Sequence, residues 1–248
     1  MQYLLTLSYV GTRFCGFQVQ HNGISIQSTV QDAIESLCGT RLDVKGCSRT
    51  DAGVHAKEYK LSFAAELSVF SVPVEKIPAA MNRYLPTDIC VMDACIVDDS
   101  FHVRYDVKEK EYEYLILNTQ YRDPFCENLA WHVPAQLNTD RMNQSARYLI
   151  GCHDFSSFMA AGSSVEDTVR EIKSISVTRD GKFVKIKISA DGFLYHMVRI
   201  IAGTLCDAGL GKIEPENIIQ IMESNDRKNA GRTAPAHGLY LVRVSYQE

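Results

Sequence analysis

The run Cys47-Ser48-Arg49-Thr50-Asp51-Ala52-Gly53-Val54-His55-Ala56 sets one arginine and one carboxylate two residues apart. Two residues too small to crowd an approaching group follow them. A carboxylate that stays ionised beside a cation, on a backbone open to close contact, suits nucleophilic work. The same residues carry a plainer reading. Asp one or two residues before Gly is a frequent turn signal, with the carboxylate bonding its own backbone. Local chemistry alone favours the turn.

Other reactive side chains point nowhere sharper by themselves. The eight cysteines, at 15, 38, 47, 90, 95, 126, 152 and 206, include no C-x-x-C pair and no Cys/His grouping at zinc spacing. Several stand in apolar company, so they read as reduced, buried and inert. His55 and His196 read as non-ligands, and His102 and His153 as hydrogen-bonded structural histidines or RNA contacts. Lys185 and Lys187 fall on one face of a strand pattern, with Arg170, Lys173 and Lys182 near in sequence. They form either a basic strip or a solvated sheet face. There is no Rossmann or P-loop fingerprint.

The elements that must position these residues follow an α+β pattern. Residues 2–9 alternate as a strand. Ser28-Thr29-Val30-Gln31 fits a capping box before a helix with Val30, Ala33, Ile34 and Leu37 at helical spacing and Gly39 as its stop. A helix is predicted over 74–82 and a strand over 108–118, where Tyr112 and Tyr114 share a face with Lys108 and Lys110. The spacing predicts a helix over 139–150, with Met142, Ala146, Leu149 and Ile150 inward, and a strand over 183–189. An apolar helix is predicted from Phe193 to about Asp207, then a short one after Pro215, then a strand over 238–244. Two strand-helix-strand halves emerge: an N-terminal subdomain, 1–105, carrying the Asp51 loop, and a C-terminal subdomain, 106–248. Together they read as one catalytic unit with largely antiparallel mixed sheets flanked by helices and a central cleft.

The chain has 248 residues, 46% of them apolar and 23% charged, which is ordinary for a globular protein. No apolar run approaches the length of a membrane span. The opening residues read as a first strand rather than a signal peptide, so the expected location is cytoplasmic. The net charge of −4 argues against a strongly basic nucleic-acid binder, although binding depends on where positive charge lies.

Taken in order, the motifs resemble one family. Arg49-Thr50-Asp51-Ala52-Gly53-Val54-His55-Ala56 resembles the signature of the tRNA pseudouridine synthase A (TruA) family. Tyr9-Val10-Gly11-Thr12-Arg13-Phe14-Cys15-Gly16-Phe17-Gln18 is similar to its N-terminal motif, with Val10 and Phe17 in place of the usual Asp and Trp. Phe101-His102-Val103-Arg104, the strand with Tyr112-Glu113-Tyr114, and His153-Asp154-Phe155-Ser156-Ser157-Phe158 also match. So do Phe193-Leu194-Tyr195-His196-Met197-Val198-Arg199 and Thr233-Ala234-Pro235-Ala236-His237-Gly238-Leu239. The resemblance covers nearly the whole chain.

The resemblance implies a pseudouridine synthase fold and isomerisation of uridine to pseudouridine in the tRNA anticodon stem-loop, at positions 38–40. No metal and no cofactor are implied, and the partners are tRNA and a second copy of the chain in a homodimer. Asp51 matches the family's essential aspartate, and Arg199 the arginine set against it, which would favour the charged acid. Tyr112 aligns with the active-site tyrosine, able to stack on an extruded base or assist proton transfer; by residue type alone Tyr114 is as good a choice. Arg49 matches the residue that fills the place of the flipped base and holds phosphate. The usual Gly before Arg-Thr-Asp is Ser48 here, which would be strained if the position needs positive φ. Two other functions remain to be weighed. One is a non-catalytic RNA-binding or RNA-chaperone relative. The other is a carboxylate-dependent glycosidase or nucleosidase, which usually needs two paired carboxylates where only one stands out.

Overall fold

The computed structural model describes residues 1–21, 23–163 and 165–246. Among them the elements follow in chain order as β1 (Gln2–Tyr9), α1 (Ile26–Cys38), β2 (Val44–Gly46), β3 (His55–Ala64), α2 (Ile77–Met81), β4 (Ile89–Val97) and β5 (Val107–Leu117). Then come β6 (Trp131–His132), α3 (Thr139–Arg147), β7 (Gly151–Asp154), β8 (Val169–Asp180), β9 (Phe183–Ala190), α4 (Met197–Gly209), α5 (Asn217–Glu223) and β10 (Leu239–Tyr246). The chain forms two compact units, Met1–Lys108 with the segment from Leu241 onward, and Glu109–Tyr240. The last strand therefore closes the first unit, whereas the sequence pattern assigned all of 106–248 to the second.

In the first unit β1 lies between β3 and β4, antiparallel to both, and β2 extends the sheet from β3. Alternation along these strands sends Tyr3, Leu5 and Leu7 of β1 and Tyr59, Leu61 and Phe63 of β3 into the core, with Ile26, Val30 and Ile34 of α1 also buried. The cap of α1 is Ser25, three residues before the expected start. Its hydroxyl accepts from the Ser28 N–H at 3.0 Å, while the Ser28 hydroxyl accepts from the Ser25 N–H at 3.2 Å. Ser28 is thus the inner member of the box. Gly39, at φ 74°, ends the helix as its position predicts.

In the second unit β5, β9, β8 and β7 form an antiparallel run, and the short β6 pairs parallel to β5, so the sheet is mixed. Val184, Ile186 and Ile188 of β9 are buried with Tyr112, Tyr114 and Ile116 of β5, and α3 contributes Met142 and Ala146 to the core. The Asn143 side chain of α3 grips the outer edge of β8, donating to the Val177 carbonyl at 2.7 Å and accepting from its N–H at 2.8 Å. That bond pair occupies backbone groups which an open edge would leave exposed. The expected helix over 139–150 is shorter, and Ile150 is exposed rather than inward. The α4 helix starts at Met197, not Phe193, because His196 takes a left-handed φ of 60° and turns the chain just before it.

Candidate active site

The Asp51 loop is held from three sides within the first unit. Cys47 is fully buried, and its N–H donates to the Lys60 carbonyl at 2.9 Å. The Tyr59 hydroxyl of β3 donates to the Ser48 carbonyl. The Thr50 hydroxyl bonds the Tyr9 hydroxyl of β1 at 2.8 Å, and the Thr50 carbonyl accepts from the Phe17 N–H at 3.1 Å. The residues on both sides of Arg49 are therefore fixed, and the backbone alternates between them. Arg49 projects outward and is exposed, Thr50 is buried, and Asp51 is half-buried. Among the described residues no carboxylate is paired with Arg49.

The turn reading of Asp51-Ala52-Gly53 holds for the backbone. The Val54 N–H donates to the Asp51 main-chain carbonyl at 3.1 Å, with Gly53 at φ 81° in the third position, as a type II turn requires. The turn is closed by the Asp51 peptide, so its existence does not compete with a chemical role for the side chain.

Gly16 decides how closely the N-terminal motif approaches this loop. It has φ 106°, and a Cβ there would stand 2.6 Å from the Thr50 oxygen and 3.2 Å from both the Ala52 nitrogen and the Asp51 carbonyl carbon. Next to it, Phe17 is buried and stacked on the Tyr59 ring at 4.6 Å. Phe17 thus packs beneath the loop. His55 is buried too, its Nδ1 accepting from the Gly11 N–H at 2.9 Å, which leaves that nitrogen unprotonated. Tyr9, Gly16, Phe17 and Tyr59 are positioning residues that sequence spacing alone does not connect to Asp51. Ser48 is not among the non-glycine residues with positive φ (Asn128, His196 and Asn225 among the described residues), so serine in place of glycine carries no backbone strain.

This arrangement yields a direct prediction. Tyr59→Phe keeps the stack on Phe17 and removes only the hydroxyl. Stability should fall by about 1 kcal/mol in urea denaturation, the net worth of one hydrogen bond. Turnover should fall with it, because the peptide before Arg49 loses its anchor.

Tyr112 and Arg199 belong to the second unit. Tyr112, on β5, is 6% exposed and packs edge-on against Phe193 at 5.1 Å. It can offer an edge rather than a whole ring face. Tyr114 is fully buried, and its hydroxyl donates to the Pro235 carbonyl at 2.7 Å. Burial raises its pKa far above the ordinary value. That commitment makes Tyr114 a structural tyrosine and removes the ambiguity between the two. Arg199, half-buried on the first turn of α4, donates from Nε to the Ala234 carbonyl at 2.8 Å, while its own carbonyl accepts from the Ala234 N–H at 3.0 Å. The reciprocal pair ties the Thr233-Ala234-Pro235 motif to the arginine. The structure brings Arg49 and Asp51 together on one loop, and sets Tyr112 and the Phe193–Arg199 segment side by side.

Several of the remaining residues singled out by sequence have local partners. His153 bonds the Ile150 carbonyl at 2.9 Å. Beside it, hydrogen bonds from the Thr168 hydroxyl and the Ser156 N–H hold the Asp154 carboxyl below its usual range. Of the two readings of the lysine strip, the charges favour the solvated face, since most are compensated. Lys182 pairs with Asp123, Lys185 with Asp180 at 2.6 Å, Lys173 with Glu109 at 3.4 Å, and Lys187 stands opposite Glu113 in the strand register. The solvated-face reading therefore describes it better. Cys47 and Cys206 are buried, and burial pushes the Cys206 thiol up to about 11. Cys90, Cys95 and Cys152 are exposed, contrary to the expectation of uniform burial. Among the described residues no group of three or more His, Cys, Asp and Glu side chains stands ready to hold a metal ion, and no helix is long and apolar enough to cross a membrane.

Comparison with known proteins gives one consistent answer. The sequence model described as tRNA pseudouridine synthase matches residues 6–106 and 145–247. The chain is 44% identical over 243 residues to tRNA pseudouridine synthase A of Thermoanaerobacter sp. (strain X514), covering 98% of each protein. It is 45% identical over 242 residues to the protein of that name from Acetivibrio thermocellus, again covering 98% of each. For the Bacillus subtilis (strain 168) protein the identity is 43% over 248 residues, covering 99% of each.

Proposed function

The chain belongs to the tRNA pseudouridine synthase family, and from that premise we propose that it isomerises uridine to pseudouridine in the tRNA anticodon stem-loop, at positions 38–40. The observation that carries the proposal is the Arg49-Thr50-Asp51 loop. It is intact in a chain that aligns with its relatives end to end, and it is fixed by Tyr9, Gly16, Phe17 and Tyr59.

The reaction breaks the N1–C1′ bond, turns the uracil and joins C5 to C1′. A proton leaves C5 and N1 takes one up, so the isomerisation is redox-neutral and needs no cofactor. Asp51 is the essential group, attacking the sugar or the base or relaying the proton. Arg199 is the cation that the family resemblance assigns to the reaction. Tyr112 meets the extruded base with its edge or hydroxyl. Arg49, exposed and with no carboxylate partner among the described residues, takes the place of the flipped base and holds phosphate, offsetting an unstacking cost on the order of a few kcal/mol. A homodimer in which each subunit helps to hold tRNA for the other reconciles a net charge of −4 with RNA binding.

Incubation with tRNA carrying a hydrogen isotope at uridine C5 tests the activity. A synthase releases the label and leaves the chain intact. Binding without chemistry releases nothing, and a nucleosidase frees uracil. Affinity should also weaken with salt, by roughly tenfold between 50 and 200 mM for every two phosphates held. A flat salt response would remove phosphate contact as the main hold.

A further inference from the structure

The loop that precedes β5, in the same unit as Asp51, presents an open aromatic side chain. Tyr105 there is 75% exposed. An aromatic ring left so open is usually mobile, but this one has a seat. The His102 ring lies against it at 4.2 Å between centroids, tilted by 32°. His102 is itself locked, because its Nδ1 accepts from the backbone N–H groups of both Arg104 and Tyr105 at 3.2 Å. The His102 backbone N–H donates to the Asp106 carboxylate at 2.8 Å.

The base of the loop is equally fixed. The Gln2 side chain of β1 donates to the Phe101 carbonyl at 2.7 Å, and the Tyr246 hydroxyl of β10 donates to the Val103 carbonyl at 2.8 Å. Phe101 packs edge-on against the Tyr246 ring at 4.9 Å, and Val103 is fully buried. Burial, then the neighbouring Cys47 and Asp106, keep the Tyr246 hydroxyl protonated and therefore a donor. Cys47 opens the run that carries Asp51, so Tyr246 stands close to both the head of that run and the Tyr105 loop.

The Arg104 guanidinium lies over the ring, 5.9 Å from its centroid. Among the described residues no carboxylate pairs with Arg104. An aromatic ring backed by a second ring, with a neighbouring cation that no carboxylate among the described residues pairs, has the composition of a base-stacking platform for unpaired nucleic acid. An apolar protein partner would leave that cation without a counter-charge, whereas the phosphate of a stacked nucleotide supplies one.

We propose that Tyr105, seated on His102 and neighboured by Arg104, stacks an unpaired nucleobase of the bound tRNA at a subsite separate from the one that takes the reacting uridine. The proposal rests on the RNA-modifying reading given above. Its hydrogen bonds fix the platform in advance, so stacking costs little ordering.

The test compares Tyr105→Ala, Tyr105→Leu and Tyr105→Phe with the unaltered protein in tRNA binding and in pseudouridine formation. Alanine and leucine should each raise Kd and KM about tenfold, the low end of what one base–aromatic stack is worth, with the loss falling on KM rather than on kcat. Phenylalanine should stay within about twofold, because the face and not the hydroxyl does the stacking. Binding by the alanine and leucine variants within twofold of the unaltered protein would overturn the subsite. So would an equal loss in the phenylalanine variant, or a loss confined to kcat. Retention by leucine alone would overturn it as well, since it would assign the contact to bulk apolar surface. The unaltered protein reports on the activity separately: label release with normal binding by Tyr105→Ala rejects only the subsite, and Tyr105-dependent binding without label release rejects only the activity.

Discussion

Asp51→Asn is expected to reduce pseudouridine formation by at least about 10³-fold while leaving tRNA affinity within a few-fold of the unaltered protein. Asparagine keeps the size and shape of the side chain, and the turn is closed by the Asp51 main-chain carbonyl, so the loop retains its path. What disappears is the negative charge and the basic oxygen that can attack or carry a proton. Removing a negative charge from a surface that meets phosphate does not weaken binding, and at low salt it strengthens it slightly. Single-turnover rates and a filter-binding Kd separate the two effects. A large loss of affinity with near-normal turnover would give Asp51 a structural role instead.

Gly16→Ala should produce the second largest loss, although the residue takes no part in chemistry. Two penalties coincide there. The φ of 106° lies where an L side chain is strained, and the added Cβ would meet the Thr50 oxygen at 2.6 Å. That oxygen is backbone, in the peptide linking Thr50 to Asp51, so relief comes only by moving the loop or the N-terminal motif. We expect a destabilisation of about 1–3 kcal/mol. A fall in kcat of roughly 10²-fold should accompany it, since a displacement near 1 Å is enough to misalign reacting groups. Denaturant midpoints and turnover measured on the same preparation test this. A variant of unchanged activity would show that the close approach of Gly16 to the loop is incidental.

The periodic parts of the fold were readable from the sequence. Strands β1, β5, β9 and β10 and the buried face of α1 follow alternation or helical spacing directly. Where the sequence misled, a non-local contact overruled a local signal. Ser28 looks like a helix cap, but Ser25 is fully buried and takes that position, pushing Ser28 inside. The largely apolar run Phe193–Asp207 gives no hint that His196 turns left-handed before α4 begins. The strand β4 escaped notice because Met92 and Ile96 are exposed and the pairing with β1 slips between Thr6 and Leu7, so no clean alternation survives.

The site divides in the same way. Arg49, Asp51, Tyr112 and Arg199 could be named by resemblance, one motif at a time. The support beneath Asp51 could not, because Tyr9, Phe17 and Tyr59 lie far apart in sequence and converge only once β1 and β3 pair. The lysines of β9 failed as a basic strip for a related reason. Lys182, just before β9, pairs with Asp123 from the segment between β5 and β6, and Lys185 pairs with Asp180 at the end of β8, partners that alternation along β9 does not encode. Tyr105 lies one residue beyond the Phe101-His102-Val103-Arg104 motif that the sequence reading singled out.

Single-nucleotide mapping of pseudouridine in unmodified tRNA incubated with the protein tests the central claim most directly. The account predicts new pseudouridine in the anticodon stem-loop, at positions 38–40, and none when Asp51→Asn replaces the unaltered protein. Absence of pseudouridine with the unaltered protein, or equal product from the asparagine variant, would contradict it.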